Sequence, residues 1–176
     1  VRRLLRDGCE VHAFVREGEH AWRLEDLGAD LVVHPVDLRD RAAVKRAVQK
    51  IRPAVVYHLA THGGYPKQSD IQTIVETNVL GSLNLFRTLE AVPKLERLVN
   101  AGTSSEYGLK REPMRETDLL EPTIPYGVAK AAQTLFAQYF ARERRLPAVT
   151  LRFLSVFGPF EEPGRLVADI MVALAK

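Results

Sequence analysis

Ala54-Val55-Val56-Tyr57-His58-Leu59-Ala60 is a nearly unbroken apolar run, and its reading decides the fold. Alternation would mark a strand with one wet face, whereas a short continuous run marks a parallel strand covered on both sides. Parallel neighbours must be joined by a crossover, usually a helix. Helical patterns lie on both flanks. Upstream, Asp40 stands as a cap before Arg41–Ile51, where Ala43, Val44, Ala47, Val48 and Ile51 recur at helical spacing until Pro53 stops the helix. Downstream, a polar, glycine-containing loop over 61–70 leads into a long helix over 71–92.

The alternation continues outward. Strands are expected at 9–15, 31–34, 95–101 and 149–154, and helices at 126–144, with Pro125 at its start, and 165–175. Residues 1–6 read as the end of a helix stopped by Asp7-Gly8, and 21–27 as a helical turn closed by Gly28. Strand and helix in strict alternation imply right-handed crossovers and one parallel sheet layered between helices. Ligands of such sheets bind outside the carboxyl ends of the strands. Arg16, Asp37, Ala60, Thr103 and Ser155 all fall at or just past such ends, so one crevice could collect them.

With 176 residues, 46% hydrophobic and 27% charged, the chain has the composition of one globular domain. Its net charge of +3 comes from scattered Lys and Arg without a basic block, which argues against nucleic acid and suits a small anionic ligand. Cys9 is the only cysteine, so no intrachain disulfide can form; a reducing cytoplasm is the expected home and strand packing the expected role of Cys9. No apolar run approaches the ~18 residues of a membrane span. His12, His20, His34, His58 and His62 lack metal-ligand spacing, so no metal site is expected.

Tyr126 and Lys130 are four residues apart, which on a helix places both on one face, one turn apart. A phenol titrates near pH ~10, and a neighbouring ammonium would lower that value. Thr103, ending an apolar strand, offers a hydroxyl to the same substrate oxygen. The three read as a proton relay beside a carbonyl. Thr103–Thr123 would be a loop of ~20 residues, a length that is usually functional in a compact domain.

The segment resembles the active-site region of the extended short-chain dehydrogenase/reductases, the NAD-dependent epimerase/dehydratase family that modifies nucleotide sugars. The resemblance rests on Leu98-Val99-Asn100-Ala101, Thr103, Tyr107-Gly108, Pro113, Glu116, Pro122, Pro125-Tyr126-Gly127 and Lys130, in family order and spacing. Asp37-Leu38, His58-Leu59-Ala60, Asn78-Val79-Leu80-Gly81 and residues 152–159 extend it over the whole chain. It implies an α/β fold: a Rossmann-like, doubly wound parallel sheet with helices on both faces. Residues 1–154 would form an NAD(P)-binding domain and 155–176 the start of a substrate-binding region. The family's glycine-rich phosphate loop and first strand, which sits at the centre of the sheet, find no match here, so the sequence reads as a fragment that also lacks most of the substrate domain.

By the same resemblance Thr103, Tyr126 and Lys130 are catalytic. Arg16, Asp37, Leu38, Leu59, Ala60, Thr61, Asn78, Phe153, Tyr126 and Lys130 would contact the cofactor, and Thr103, Ser104, Ser105, Glu106 and Ser155 the substrate. Arg16 stands where an acidic residue would hold the ribose of NAD; it favours NADP over NAD, or else is an ordinary surface arginine. Family dehydratases carry an acid directly after the active-site Thr, where this chain has Ser104 and Ser105. The expected activity is therefore epimerisation or 4-keto reduction of a nucleotide sugar by hydride transfer, with 4,6-dehydration or a non-catalytic dinucleotide sensor or scaffold as alternatives. Glu106 could touch substrate or face water. The apolar stripes of the 71–92 and 126–144 helices suit either a homodimer interface or packing on the sheet.

Overall fold

A computed structural model describes residues 1–175 apart from His20, Pro66 and Pro163, so the reading of His20 lies outside the described residues. Asp40 caps α2 (Arg41–Ile51) as expected, accepting hydrogen bonds from the backbone of Ala42 and Ala43, and α2 buries Val44 and Val48 at i, i+4. Among the described residues five parallel strands form: β1 (Val11–Val15), β2 (Leu31–Pro35), β3 (Val55–His58), β4 (Arg97–Thr103) and β5 (Ala148–Phe153). A short α1 (Arg2–Arg6) precedes them, and α6 (Leu166–Leu174) follows.

The sheet falls into two pieces, β1–β2 and β3–β4–β5, rather than one continuous sheet. One core nevertheless joins the two pieces. Val36 and Leu38, just past β2, pack with α2, with Leu85, Phe86 and Leu89 of α4 (Ser82–Leu89), with Leu98 of β4, and with Ala137 and Phe140 of α5 (Pro125–Glu143); Phe14 of β1 and Val56 of β3 lie against this cluster.

Register sorts the strands of the larger piece into rows. Val56–Leu98–Ala148 and His58–Asn100–Thr150 face the helices, and Tyr57–Val99–Val149 faces away. The expectation that β3 is covered on both sides is not met: Val55, Tyr57, Val149, Leu151 and Phe153, on the face opposite the core, are 38–50% exposed. The unbroken apolar run records a strand with two apolar faces, only one of which is covered among the described residues.

The long helix over 71–92 is three segments: α3 (Ile71–Val75), a π-helical turn (Glu76–Gly81) and α4, ending at Leu89. Gly81 belongs to close packing, since a Cβ there would lie 3.0 Å from Leu38 Cβ. Residues 22–30 form a 3-10 helix kinked at Gly28. Cys9 is exposed ahead of β1, so it does not pack in a strand as expected. No helix among the described residues is long and apolar enough to cross a membrane.

Candidate active site

Two close approaches build the site. After β4 the chain makes one 3-10 turn, Ser104–Glu106, in which Thr103 is the cap: its Oγ1 accepts from Ser105 N at 3.2 Å, and Glu106 Oε1 accepts from Thr103 N at 2.9 Å. The first turn of α5 then sits directly on that turn. A Cβ on Gly127 would lie 2.6 Å from Ser105 O, so only glycine lets the helix come this close. Pro125 occupies the first turn, where its missing N–H costs nothing. Tyr126 is thereby set beside Thr103.

The Tyr126 hydroxyl lies near the Thr103 and Thr61 side chains, close enough for both to lower its pKa. Thr61 follows β3, so the ends of two adjacent strands converge on one phenol. Burial raises the pKa of Tyr126, opposed by those two hydroxyls and by the Arg165 guanidinium. The sequence had put Lys130 in that opposing role. Instead, Lys130 is 2% exposed, and its ammonium donates to Ala101 O at 2.6 Å and Gln133 Oε1 at 2.7 Å. Burial lowers its pKa to about 8, against the pull of Glu106.

Glu106 presents no surface to a substrate. It is fully enclosed, with Oε1 on Thr103 N and Oε2 accepting from Arg152 Nε at 2.8 Å, while Arg152 also donates to Tyr107 Oη at 2.8 Å. This carboxylate locks the turn that carries Thr103. Asn78, expected at the cofactor, is likewise enclosed. It has no exposed surface; its Nδ2 donates to His62 O and its Oδ1 accepts from His62 N, both at 2.8 Å, pinning the loop that presents Thr61. Leu38 is buried in the core rather than open to an adenine ring.

The other expected residues are more open. Ser104 and Ser105 line the turn, half-buried, while Leu59, Ala60, Thr61, Phe153 and Ser155 are exposed at the ends of β3 and β5. Arg16 and Asp37 meet at the ends of β1 and β2, lining a cup of about 390 Å³ with Glu17, Glu19, Pro35, Arg39, Asp40 and Ala43. Both expected contacts already have partners there: Arg16 pairs with Glu19, and Asp37 with Arg39, which holds the Asp37 carboxyl below its ordinary range.

His58 lies beneath this site. Ser82 Oγ spends its proton on Asn78 O at 2.6 Å, so His58 Nε2, 2.7 Å away, must donate to Ser82. Burial pushes the imidazole down to about 3, and it is neutral. Arg165 is the site residue that sequence reasoning missed. It stacks on the Tyr65 ring at 4.4 Å and donates to Gly64 O at 3.3 Å, bringing a second cation toward Tyr126. No local pattern signals it, because its partners lie a hundred residues away. Gln133 had a faint signal, standing one turn beyond Lys130 on α5. Among the described residues no cluster of His, Cys, Asp and Glu could hold a metal ion.

Known proteins share this arrangement of strands and helices. A "Probable UDP-glucuronate 4-epimerase" of Rhizobium meliloti (strain 1021) is 35% identical over 131 residues, which are 72% of this chain and 38% of that protein. A "UDP-glucose 4-epimerase" of Mycoplasma pneumoniae is 28% identical over 164 residues, 90% of this chain and 48% of the relative. Among solved structures, the Thermus thermophilus UDP-glucose 4-epimerase in complex with NAD superposes with a TM-score of 0.83 at 29% identity, over 97% of this chain and 55% of that one. The chain thus spans about half the length of these relatives or less. The profile of the NAD dependent epimerase/dehydratase family matches residues 1–176, and the chain belongs to that family.

Proposed function

We propose that this chain supplies the dinucleotide-facing part of a nucleotide-sugar 4-epimerase or 4-ketoreductase, with residues 1–154 forming the cofactor domain and 155–176 leading into the substrate region. The observation that carries the reading is the convergence of Thr61, Thr103 and Tyr126 hydroxyls at the ends of β3 and β4. Tyr126 exchanges a proton with the sugar oxygen, and Thr103 holds that oxygen in line by a second hydrogen bond. A bound nicotinamide supplies two-electron hydride chemistry at the ring carbon. In this reading Lys130 serves the ribose of such a cofactor, and the cup lined by Arg16 and Asp37 takes its adenosine end; the cup's volume of about 390 Å³ supports the second assignment.

Epimerisation or reduction is favoured over dehydration because no free acid follows Thr103. Ser104 and Ser105 occupy those positions, and Glu106 is spent on Thr103 N and Arg152. The named relatives point to a UDP-linked hexose or hexuronate as the substrate to try first. Arg16 supports NADP, while its pairing with Glu19 and the NAD held by the Thermus relative support NAD; parallel titrations with both dinucleotides choose. A homodimer is supported by apolar side chains left exposed on the two long helices, among them Ile71, Leu80, Val128, Leu135 and Tyr139.

Tyr126→Phe tests the reading. Turnover of UDP-glucose or UDP-glucuronate should fall about 10²–10⁴-fold while dinucleotide affinity is retained. Parent-like turnover in the variant overturns it.

A further inference from the structure

The core-facing row His58–Asn100–Thr150 is polar right across three strands, an expensive choice beneath two packed helices unless each group is used. Asn100 and Gln133 are each 0% exposed. Starting from Lys130, the direction of every hydrogen bond is fixed, because an ammonium can only donate. Lys130 Nζ donates to Gln133 Oε1 at 2.7 Å; the Gln133 amide must then present its nitrogen to Asn100 Oδ1, at 2.5 Å; and Asn100 Nδ2 donates in turn to Thr150 Oγ1 at 3.1 Å. Ala101 O takes a second ammonium proton at 2.6 Å.

From this geometry we infer that Gln133 and Asn100 are positioning residues for Lys130: a one-directional amide chain, anchored on β5, that fixes where the ammonium sits and holds it as a donor. The inference rests on the reading of Lys130 as a cofactor-facing group. The chain reaches Lys130 through the fourth residue of a helical turn, so its angle of approach is set by α5 and its depth by β4. Two of the three ammonium protons are spent inside the protein. The third has no partner among the hydrogen bonds described, and on this reading it is the one offered to an incoming ribose.

Charged and titratable groups acting on Lys130 are few: Glu106 on the turn after β4 and His58 on β3. Glu106 favours the ammonium, whereas His58 is neutral over the working range and adds no competing charge. Glu106 therefore opposes burial in setting the charge of Lys130, while the amide acceptor sets where its proton points. Burial has brought its midpoint to about 8, where it can be followed directly.

The test labels lysine at the ε-carbon and follows each of the seven lysines by NMR through a pH titration. One midpoint should lie well below the rest and vanish in Lys130→Arg. Gln133→Glu places a carboxylate on the ammonium, and the neighbouring amide can turn over, with the Thr150 hydroxyl donating to it instead. The midpoint should rise by about one pH unit or more. Gln133→Leu removes the acceptor and should lower it, with weaker dinucleotide binding. Shifts in opposite directions are what a merely space-filling role would not produce. A midpoint that stays at the parent value in Gln133→Glu overturns the inference, and this variant serves even if Gln133→Leu does not fold. The readout needs no turnover, so an active Tyr126→Phe variant would remove the proposed reaction and leave this titration to be judged separately.

Discussion

Replacing Glu106 with glutamine should cost far more stability than a one-atom change suggests. Glu106 has no exposed surface, and its two oxygens serve different donors, Thr103 N and Arg152 Nε. A glutamine keeps one oxygen and offers an NH₂ in place of the other. If the oxygen stays on Arg152, the NH₂ faces the Thr103 N–H; if it stays on Thr103, the NH₂ faces the guanidinium. Either arrangement leaves a buried donor against a donor, at about 1–3 kcal/mol. The loss of charge opposite Arg152, whose side chain is only 12% exposed, raises the total to about 3–4 kcal/mol. A urea melt followed by circular dichroism reads this directly: with a slope of about 2 kcal/mol per molar, the midpoint should fall by roughly 1.5–2 M at unchanged slope. The paired change Glu106→Leu with Arg152→Leu should be less damaging than either single one, because apolar groups of similar bulk need no partner. A Glu106→Gln midpoint within about 0.3 M of the parent would refute the reasoning, since it would mean water already reaches the pair.

Gly108→Ala should be comparably severe: φ is +73° and a Cβ would lie 2.0 Å from Glu121 O, so about 3 kcal/mol and a Tm drop of about 6–12 °C are expected by calorimetry. His58 gives stability a pH dependence. Above its unfolded pKa of about 6.5 it is neutral in both states; below that, the unfolded chain takes a proton that the folded one refuses until about 3, so stability is lost as pH falls through this window. His58→Gln, which can still donate to Ser82, should flatten the fall in urea midpoint between pH 7 and pH 4.5 by about 1 kcal/mol per pH unit; parallel slopes would count against a buried neutral imidazole. Asn78→Ala leaves His62 N and O without partners at a cost of about 2–4 kcal/mol, and hydrogen exchange at the His62 amide should quicken by orders of magnitude while the β4 amides stay protected.

Much of this architecture was legible because it is local. Asp40 before a 3.6-residue pattern gave α2, Pro125 gave the start of α5, and apolar runs gave β3 and β4. Spacing also brought Tyr126 and Lys130 onto one helix. What spacing cannot encode is the partner of each polar tip. Glu106 and Asn78 carry ligand-like side chains, and nothing in their neighbourhoods says that Arg152, 46 residues on, and the backbone of His62 will claim them. The exposed face of β3 was illegible for a different reason: apolar residues on both sides of a strand record that both sides are meant to be covered, not which segment covers them. Arg165 could not be found because its contacts with Gly64 and Tyr65 exist only once the chain after β5 has crossed to the loop after β3.

The two ionisable groups at the centre are displaced in opposite directions by one cause. Burial favours neutral forms, so it raises the phenol of Tyr126 and lowers the ammonium of Lys130, and the usual order of Tyr and Lys is inverted. At neutral pH this leaves a protonated phenol beside a lysine that is mostly charged but turned toward Ala101 and Gln133. Such an arrangement suits proton donation to a developing alkoxide, the reductive direction. Withdrawal of a proton from a sugar hydroxyl needs a cation near the phenolate, and Arg165, which also holds the loop at Gly64, already opposes the rise at Tyr126. Arg165→Gln separates these roles. If Arg165 supplies the charge, the variant should slow oxidation of substrate about tenfold more than reduction, and the acidic limb of the oxidative pH profile should move up; equal losses in both directions would assign Arg165 to holding the loop at Gly64.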